Sequence, residues 1–424
     1  KRPKINGPYC QDHQPVTEQS EPTGHAVRAM YLYSGMADVA AATGDKAYVA
    51  ALDRLWTNTV ERKMYVTGAI GSTHKGEAFG ANYDLPNDSA YCETCASIGM
   101  CLWNHRMNLL HADARYADTF ERTLYNGVLA GIDLGGEKFF YVNPLASSGK
   151  HHRQEFFGCA CCPTNVVRFI PSVPGYVYAA SDKAIYVNLY AAGRGKVSVA
   201  GGKVELTQET RYPWDGAVKI TVKPDAAASA AEFDIMLRIP AWTQPQAPAD
   251  ALYQPEPMPA ERVAPTIKVN GAAVAEPEMV KGYARLHRKW AAGDIIELNM
   301  PMPVRRVRAH PSVAADAGRI ALQRGPIVYC FEGVDNPGGV DSFYLPASAQ
   351  FQIEARKDLL GGAAVITAKA RTIPSGGVKE ADVDVTAIPY YAWDHRSAGP
   401  MAVWVVEDPA KIAPAPAKAE GNGK

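Results

Sequence analysis

Across residues 24–180 apolar residues recur at intervals of three and four, the spacing that gathers them on one face of a helix. The pattern predicts a helix over 25–43, halted by Gly44-Asp45, and a second of the same design over 46 to about 62. A third is predicted over 95–110, and a fourth over 114 to about 129 with Phe120, Leu124 and Val128 on one face. Short turns between helices of this size predict antiparallel hairpins. After about Ser181 the period drops to two, in 184–190, 196–199, 217–222 and 233–239, with Gly, Pro and Asp turns between them at the spacing of a β-sandwich. Strand-like segments continue at 294–298, 327–330 and 401–405, while the proline-rich stretch 244–263 reads as a loop. The organisation expected is a helical part over 1–180, a β-sandwich region over 181–408 and a disordered tail over 409–424.

Charge and hydropathy then narrow the function classes. The 424 residues carry 44 Lys and Arg against 44 Asp and Glu, and this zero balance argues against a nucleic-acid partner. No apolar run reaches the roughly 18 to 20 residues of a membrane span, so no membrane partner is expected. Six of the eight cysteines fall into two short windows, Cys92, Cys95 and Cys101, then Cys159, Cys161 and Cys162. A chain of this length can stabilise itself by burial without disulfides, and adjacent cysteines seldom bridge each other without strain. Metal binding or reactive-thiol chemistry is the better reading, while Cys92, Cys101 and Cys330 read as small buried hydrophobes.

Glu93, Cys95, Cys161 and Cys162 together offer one carboxylate and three thiolates, a four-coordinate set that suits zinc. Their spacing is not that of a zinc finger. Residues two apart diverge on a regular helix, so Glu93 and Cys95 converge only at an irregular turn or a helix start. Thr94 is the expected N-cap of the third helix, and Pro163 the expected first residue of a helix over 164 to about 170, which places Cys161 and Cys162 just before it. Two helix N-termini then face the cluster and favour thiolate over thiol. Four anionic ligands would leave the metal a poor Lewis acid, so a metal-held thiolate is a better nucleophile candidate than a metal-bound hydroxide. A structural zinc site without chemistry fits the same residues.

The windows 76–95 and 158–165, with 65–72 ahead of Glu77 and 323–335 in the β part, resemble glycoside hydrolase family 127, the β-L-arabinofuranosidases, and its relative family 146. The motifs that carry the resemblance are Glu93-Thr94-Cys95, Cys161-Cys162-Pro163 and a Glu, Glu77, sixteen residues before Glu93. It runs through most of residues 1 to about 408. The resemblance implies an (α/α)6 barrel followed by jelly-roll-like β-sandwich domains, and a retaining exo-glycosidase that releases terminal β-L-arabinofuranose from a glycan or glycoconjugate. It further implies Cys161 as nucleophile, Glu77 as general acid/base, Zn2+ held by Glu93, Cys95, Cys161 and Cys162, and His25 as a sugar contact. Two rival readings are a related glycosidase with another sugar specificity and a non-catalytic carbohydrate-binding or structural zinc protein.

Other candidates are weaker on the residues alone. His74, three residues before Glu77, can reach a substrate, although a lone loop His is more often simply exposed. Tyr65, Tyr83 and Tyr91 each offer a stacking face to a sugar, although Tyr in a helical domain is more often core. Asp88 fits a sugar hydroxyl or a helix cap equally well. Free zinc-bound thiols suit a reducing cytoplasm. The chain opens Lys1-Arg2-Pro3-Lys4 without an initiator Met, and an (α/α)6 barrel consists of twelve helices where about five or six are legible. The expectation is therefore an N-terminally truncated chain that exposes a broad apolar helix face.

Overall fold

Gly44 in the left-handed conformation (φ 68°) ends the first helix, its N–H bonded to the Ala40 carbonyl, and Asp45 caps the second by accepting from Ala47 N at 2.8 Å. This Gly-Asp junction joins α1 (Ala26–Thr43) to α2 (Lys46–Arg62) in a computed structural model that describes residues 7–374 and 379–411. The opening four residues, and the expected tail from 412 onward, lie outside the described residues; Pro409–Lys411 forms a 3-10 turn. The helical part continues with α3 (Thr94–His111), α4 (Ala114–Thr123) and α5 (Cys161–Phe169). Asp113 caps α4 through Arg115 N, and the expected continuation to 129 is a π-turn over Leu124–Val128 followed by a 3-10 turn. Phe120, Leu124 and Val128 share one cluster with α3 and α5, as their spacing predicts.

Twelve of the 18 residues of α3 are buried, so it is the central element of the helical part. It lies against α1 closely enough that a Cβ on Gly99 would stand 2.7 Å from the Met30 Cβ. Burial of α3 carries its N-terminus, and the Glu93-Thr94-Cys95 motif there, into the interior. The expected broad apolar helix face is not met. Among the described residues the large apolar side chains exposed on these helices are Val39, Leu109 and Val167, one each on α1, α3 and α5.

The chain beyond residue 177 is rich in sheet. A six-stranded and a five-stranded sheet pack face to face, with Val204, Leu206, Ile220 and Ile296 from one meeting Ile185, Val187, Ile235 and Leu237 from the other. An eleven-stranded sheet follows among the described residues, and the strand Ile327–Glu332 within it is buried throughout. Its Ile327, Tyr329 and Phe331 face the sheet's own core. Val328 and Cys330 join a second cluster with Tyr65, Leu85, Ala90, Cys92 and Phe140 from the helical part. The period of two thus sends alternate side chains to two different cores. The second core backs the loops that lead into α3. No helix among the described residues is long and apolar enough to cross a membrane.

Candidate active site and metal centre

Two helix starts build the thiol cluster. Glu93 is the N-cap residue of α3 and Cys95 its second residue, so the irregular entry lets both side chains turn to one side. Thr94 is the first helical residue rather than the cap. Its hydroxyl donates to the Phe140 carbonyl at 2.7 Å and accepts from Asn143 Nδ2 at 2.9 Å, while Asn143 Nδ2 also donates to Cys92 O. These bonds clamp the start of α3 to residues 139–143. Cys161 and Cys162 are the first two residues of α5 rather than its leader, with Ala160 as N-cap and Pro163 third in the helix. Pro fits there because first-turn N–H groups lack intrahelical acceptors. Both helix N-termini point their partial positive charge at the sulfurs.

One donor atom from each of Glu93, Cys95, Cys161 and Cys162 lies within 4.8 Å of all the others. Cys161 Sγ is 3.5 Å from Glu93 Oε1 and 3.9 Å from Cys162 Sγ, and Cys162 Sγ is 3.6 Å from the same Oε1. Glu93 Oε2 is buried with no hydrogen-bond partner, an unsatisfied polar atom inside a thiol cluster. A carboxylate and three thiols arranged this way fit a metal ion.

The electrostatics single out Cys161. Hydrogen bonds shared with Cys162 and Cys95, and one with the Tyr141 hydroxyl at 3.2 Å, hold its thiol far below the usual range against the opposing effect of burial. The shared bonds push Cys162 up and Cys95 up to about 12. Burial, then the Cys161 charge, pushes Glu93 up to about 8. Cys162 and Cys95 are buried, whereas Cys161 is partly open to solvent. The partly open sulfur is therefore the one whose thiol is pushed down.

A second group shares Glu93. His25, Glu77 and Glu93 place one donor atom each within 4.8 Å of one another. His25 is the N-cap residue of α1, and its Nε2 stands 2.9 Å from Glu77 Oε2. Glu77 takes a left-handed backbone (φ 52°) after Gly76 (φ 73°), and Cys92 does the same (φ 42°) before Glu93. Non-glycine residues held at positive φ cost energy, and such strain gathers where a side chain must be aimed. Burial lowers the His25 pKa and the Glu77 charge offsets it. The Tyr91 hydroxyl, hydrogen-bonded to Glu77, is pushed far up, first by burial.

The remaining sequence candidates stand elsewhere. His74 is exposed and meets Tyr91 edge-on at 4.9 Å, one ring removed from Glu77. Tyr83 stacks on His310 at 4.8 Å and packs against the core that contains Tyr65 and Leu85. Asp88 accepts from Ser89 N and caps no helix. Tyr91, a stacking candidate from the sequence, instead bonds Glu77, while the contact of Tyr141 with Cys161 was missed, because an aromatic in an apolar run such as 139–142 reads as core.

Comparison with known proteins places these residues in a family context. Residues 5–175 match the family model described as Beta-L-arabinofuranosidase, GH127 catalytic domain, 184–302 the GH127 middle domain and 304–406 the glycoside hydrolase family 127 C-terminal domain. The chain is 37% identical over 433 residues to the non-reducing end beta-L-arabinofuranosidase of Bifidobacterium longum subsp. longum, covering 93% of this chain and 61% of that protein. It thus spans about three fifths of that curated relative's length. Among solved structures, a GH127 beta-arabinofuranosidase superposes with a TM-score of 0.91 at 47% identity, over 97% of this chain and 64% of the other. A GH127 beta-L-arabinofuranosidase from Geobacillus stearothermophilus T6 gives 0.87 at 42%, over 95% and 63%. A third structure, titled a glycoside hydrolase, gives 0.85 at 34%, over 96% and 70%.

Proposed function

The chain belongs to glycoside hydrolase family 127, and from that premise we propose that it is a retaining exo-glycosidase releasing terminal β-L-arabinofuranose, with Cys161 as nucleophile and Glu77 as general acid/base. The observation that carries the reading is Glu93, which belongs both to the thiol cluster and to the His25–Glu77 group and so holds the two reactive side chains around one point.

In the first step the Cys161 thiolate attacks the anomeric carbon of the terminal sugar and the glycosidic C–O bond breaks. Glu77 gives its proton to the departing alcohol oxygen. In the second step Glu77 takes a proton from water, the hydroxide attacks the anomeric carbon and the C–S bond breaks, returning Cys161 to thiolate. Two inversions give net retention. His25 holds the Glu77 carboxylate in place, and the Tyr141 hydroxyl lies 3.2 Å from the Cys161 sulfur. Glu93, Cys95, Cys161 and Cys162 would hold zinc, which when bound keeps the thiols deprotonated and makes sulfur a better leaving group. The substrate in this reading is an arabinofuranosyl glycan or glycoconjugate, in keeping with a curated relative named a non-reducing end beta-L-arabinofuranosidase.

A panel of chromogenic pentosides tests the reading. A β-L-arabinofuranoside should be hydrolysed with retention while its α-L and D isomers are not. Glu77→Gln should lose at least about a hundredfold in kcat on an unactivated glycoside. Full activity in that variant would remove Glu77 from the chemistry.

A further inference from the structure

Asn165 stands one helical turn after Cys161 on α5 and is buried, on the side of the helix that carries the thiol cluster. The two ends of its amide are not interchangeable. Arg168 Nε donates to Asn165 Oδ1 at 2.9 Å, and a guanidinium offers donors alone, so the oxygen must face Arg168 and the NH2 group must face away from it. The NH2 nitrogen stands 3.0 Å from the Tyr31 hydroxyl of α1, which also lies 3.4 Å from the oxygen. The Asn165 side chain hydrogen-bonds Cys95 of α3 as well. With the oxygen turned to Arg168, the group that meets the sulfur is the second N–H.

This contact reaches Cys95 from outside the thiol cluster. Three thiolates and a carboxylate crowd negative charge around one point, and an N–H donor to one of the sulfurs relieves that crowding without adding charge. Partners of this kind, one step removed from a metal, orient its ligands and tune their hold on it.

We propose that Asn165 is a positioning residue of the metal centre, its N–H fixing the Cys95 sulfur toward Glu93, Cys161 and Cys162 and sharing the sulfur's charge, with Arg168 setting which way the amide points. This rests on the reading of those four residues as metal ligands.

Zinc affinity of the full chain, measured by competition with a chromogenic chelator, tests the assignment together with cobalt(II) titration, which reads the sulfur-to-metal charge-transfer band. Asn165→Leu keeps the side-chain volume and removes the donor. Zinc binding should weaken about tenfold to a hundredfold, and the band should move to lower energy because a thiolate without the N–H holds its electrons less tightly. Arg168→Met, at an exposed position, frees the amide to turn and should weaken zinc binding about threefold or more, with a band shift of the same sign. If Asn165→Leu does not fold, Arg168→Met decides alone. Tyr31→Phe cuts the tie between α1 and α5 but spares the N–H···S bond, so zinc affinity should stay within about twofold of the parent and the band should not move. An unmoved band in either folded variant of Asn165 or Arg168, or an equal loss of zinc in Tyr31→Phe, would overturn the assignment. A parent chain that binds no zinc would overturn the ligand reading beneath it, and the assignment with it.

Discussion

His25 Nε2 and Glu77 Oε2 stand 2.9 Å apart, joining the start of α1 to the strained turn that carries the proposed acid/base. His25 therefore acts as a positioning residue whose effect passes through Glu77. His25→Ala should lower kcat about tenfold to a hundredfold with a much smaller change in KM, and leave the thermal midpoint nearly unchanged. Steady-state kinetics beside a melting curve distinguish this from a purely structural role, which would move the midpoint.

The buried, unpartnered Glu93 Oε2 among three thiols predicts a bound metal. Metal analysis should find about one zinc per chain, and Cys95→Ala should reduce that content severalfold. Removal of the ion by a chelator should lower the thermal midpoint as well as activity, because an ion bound only by the folded chain stabilises it. A metal-free protein with an unchanged midpoint would contradict the ligand assignment.

Arg238 is fully buried and ties the helical part to the sandwich. It donates to Glu121 Oε1 at 2.5 Å and Asp118 Oδ1 at 2.6 Å, both on α4, from the end of the strand Glu232–Arg238. Tyr212 Oη also donates to Glu121 at 2.7 Å. Arg238→Met leaves two carboxylates without their cation and should cost about 3 to 5 kcal/mol, measured by denaturant unfolding.

Asp316 is buried, accepts from Asn87 Nδ2 at 2.8 Å, and is pushed up to about 7 by burial. A carboxyl whose pKa is higher in the fold than in the unfolded chain stabilises the fold when protonated. That contribution is complete below about pH 4 and disappears as pH rises through about 7, for a total of about 4 kcal/mol. Asp316→Asn cannot ionise, so its thermal midpoint should rise relative to the parent between pH 4 and pH 8. A constant difference across that range would show that Asp316 does not titrate as described.

Much of this architecture was legible in the chain. The helix boundaries at Gly44-Asp45 and at Asp113 follow from capping chemistry, and the change of period near residue 181 marks the shift from helix to sheet. The four thiol-cluster residues could be gathered from Glu-x-Cys and Cys-Cys-Pro alone, since each motif lies at a helix start. Local assignments failed where a tertiary contact outbid a local preference. Thr94 gives its hydroxyl to Phe140 instead of capping α3, and α5 begins two residues before Pro163 because Pro is tolerated anywhere in the unbonded first turn. Tyr141 was invisible because its contact depends on a loop that folds back onto the helix starts, and Tyr91, legible as an aromatic candidate, meets Glu77 through the same folding back. Tyr83 went to His310 because its left-handed backbone (φ 66°) and the second core set its direction.

Attack by the Cys161 sulfur on the anomeric carbon is the central claim, and trapping the covalent species tests it most directly. Rapid acid quench during turnover of a β-L-arabinofuranoside, followed by peptide mass spectrometry, should show one added pentosyl group on the peptide bearing Cys161, absent from Cys161→Ala. A pentosyl group on any other residue, or undiminished hydrolysis by Cys161→Ala, would contradict the account.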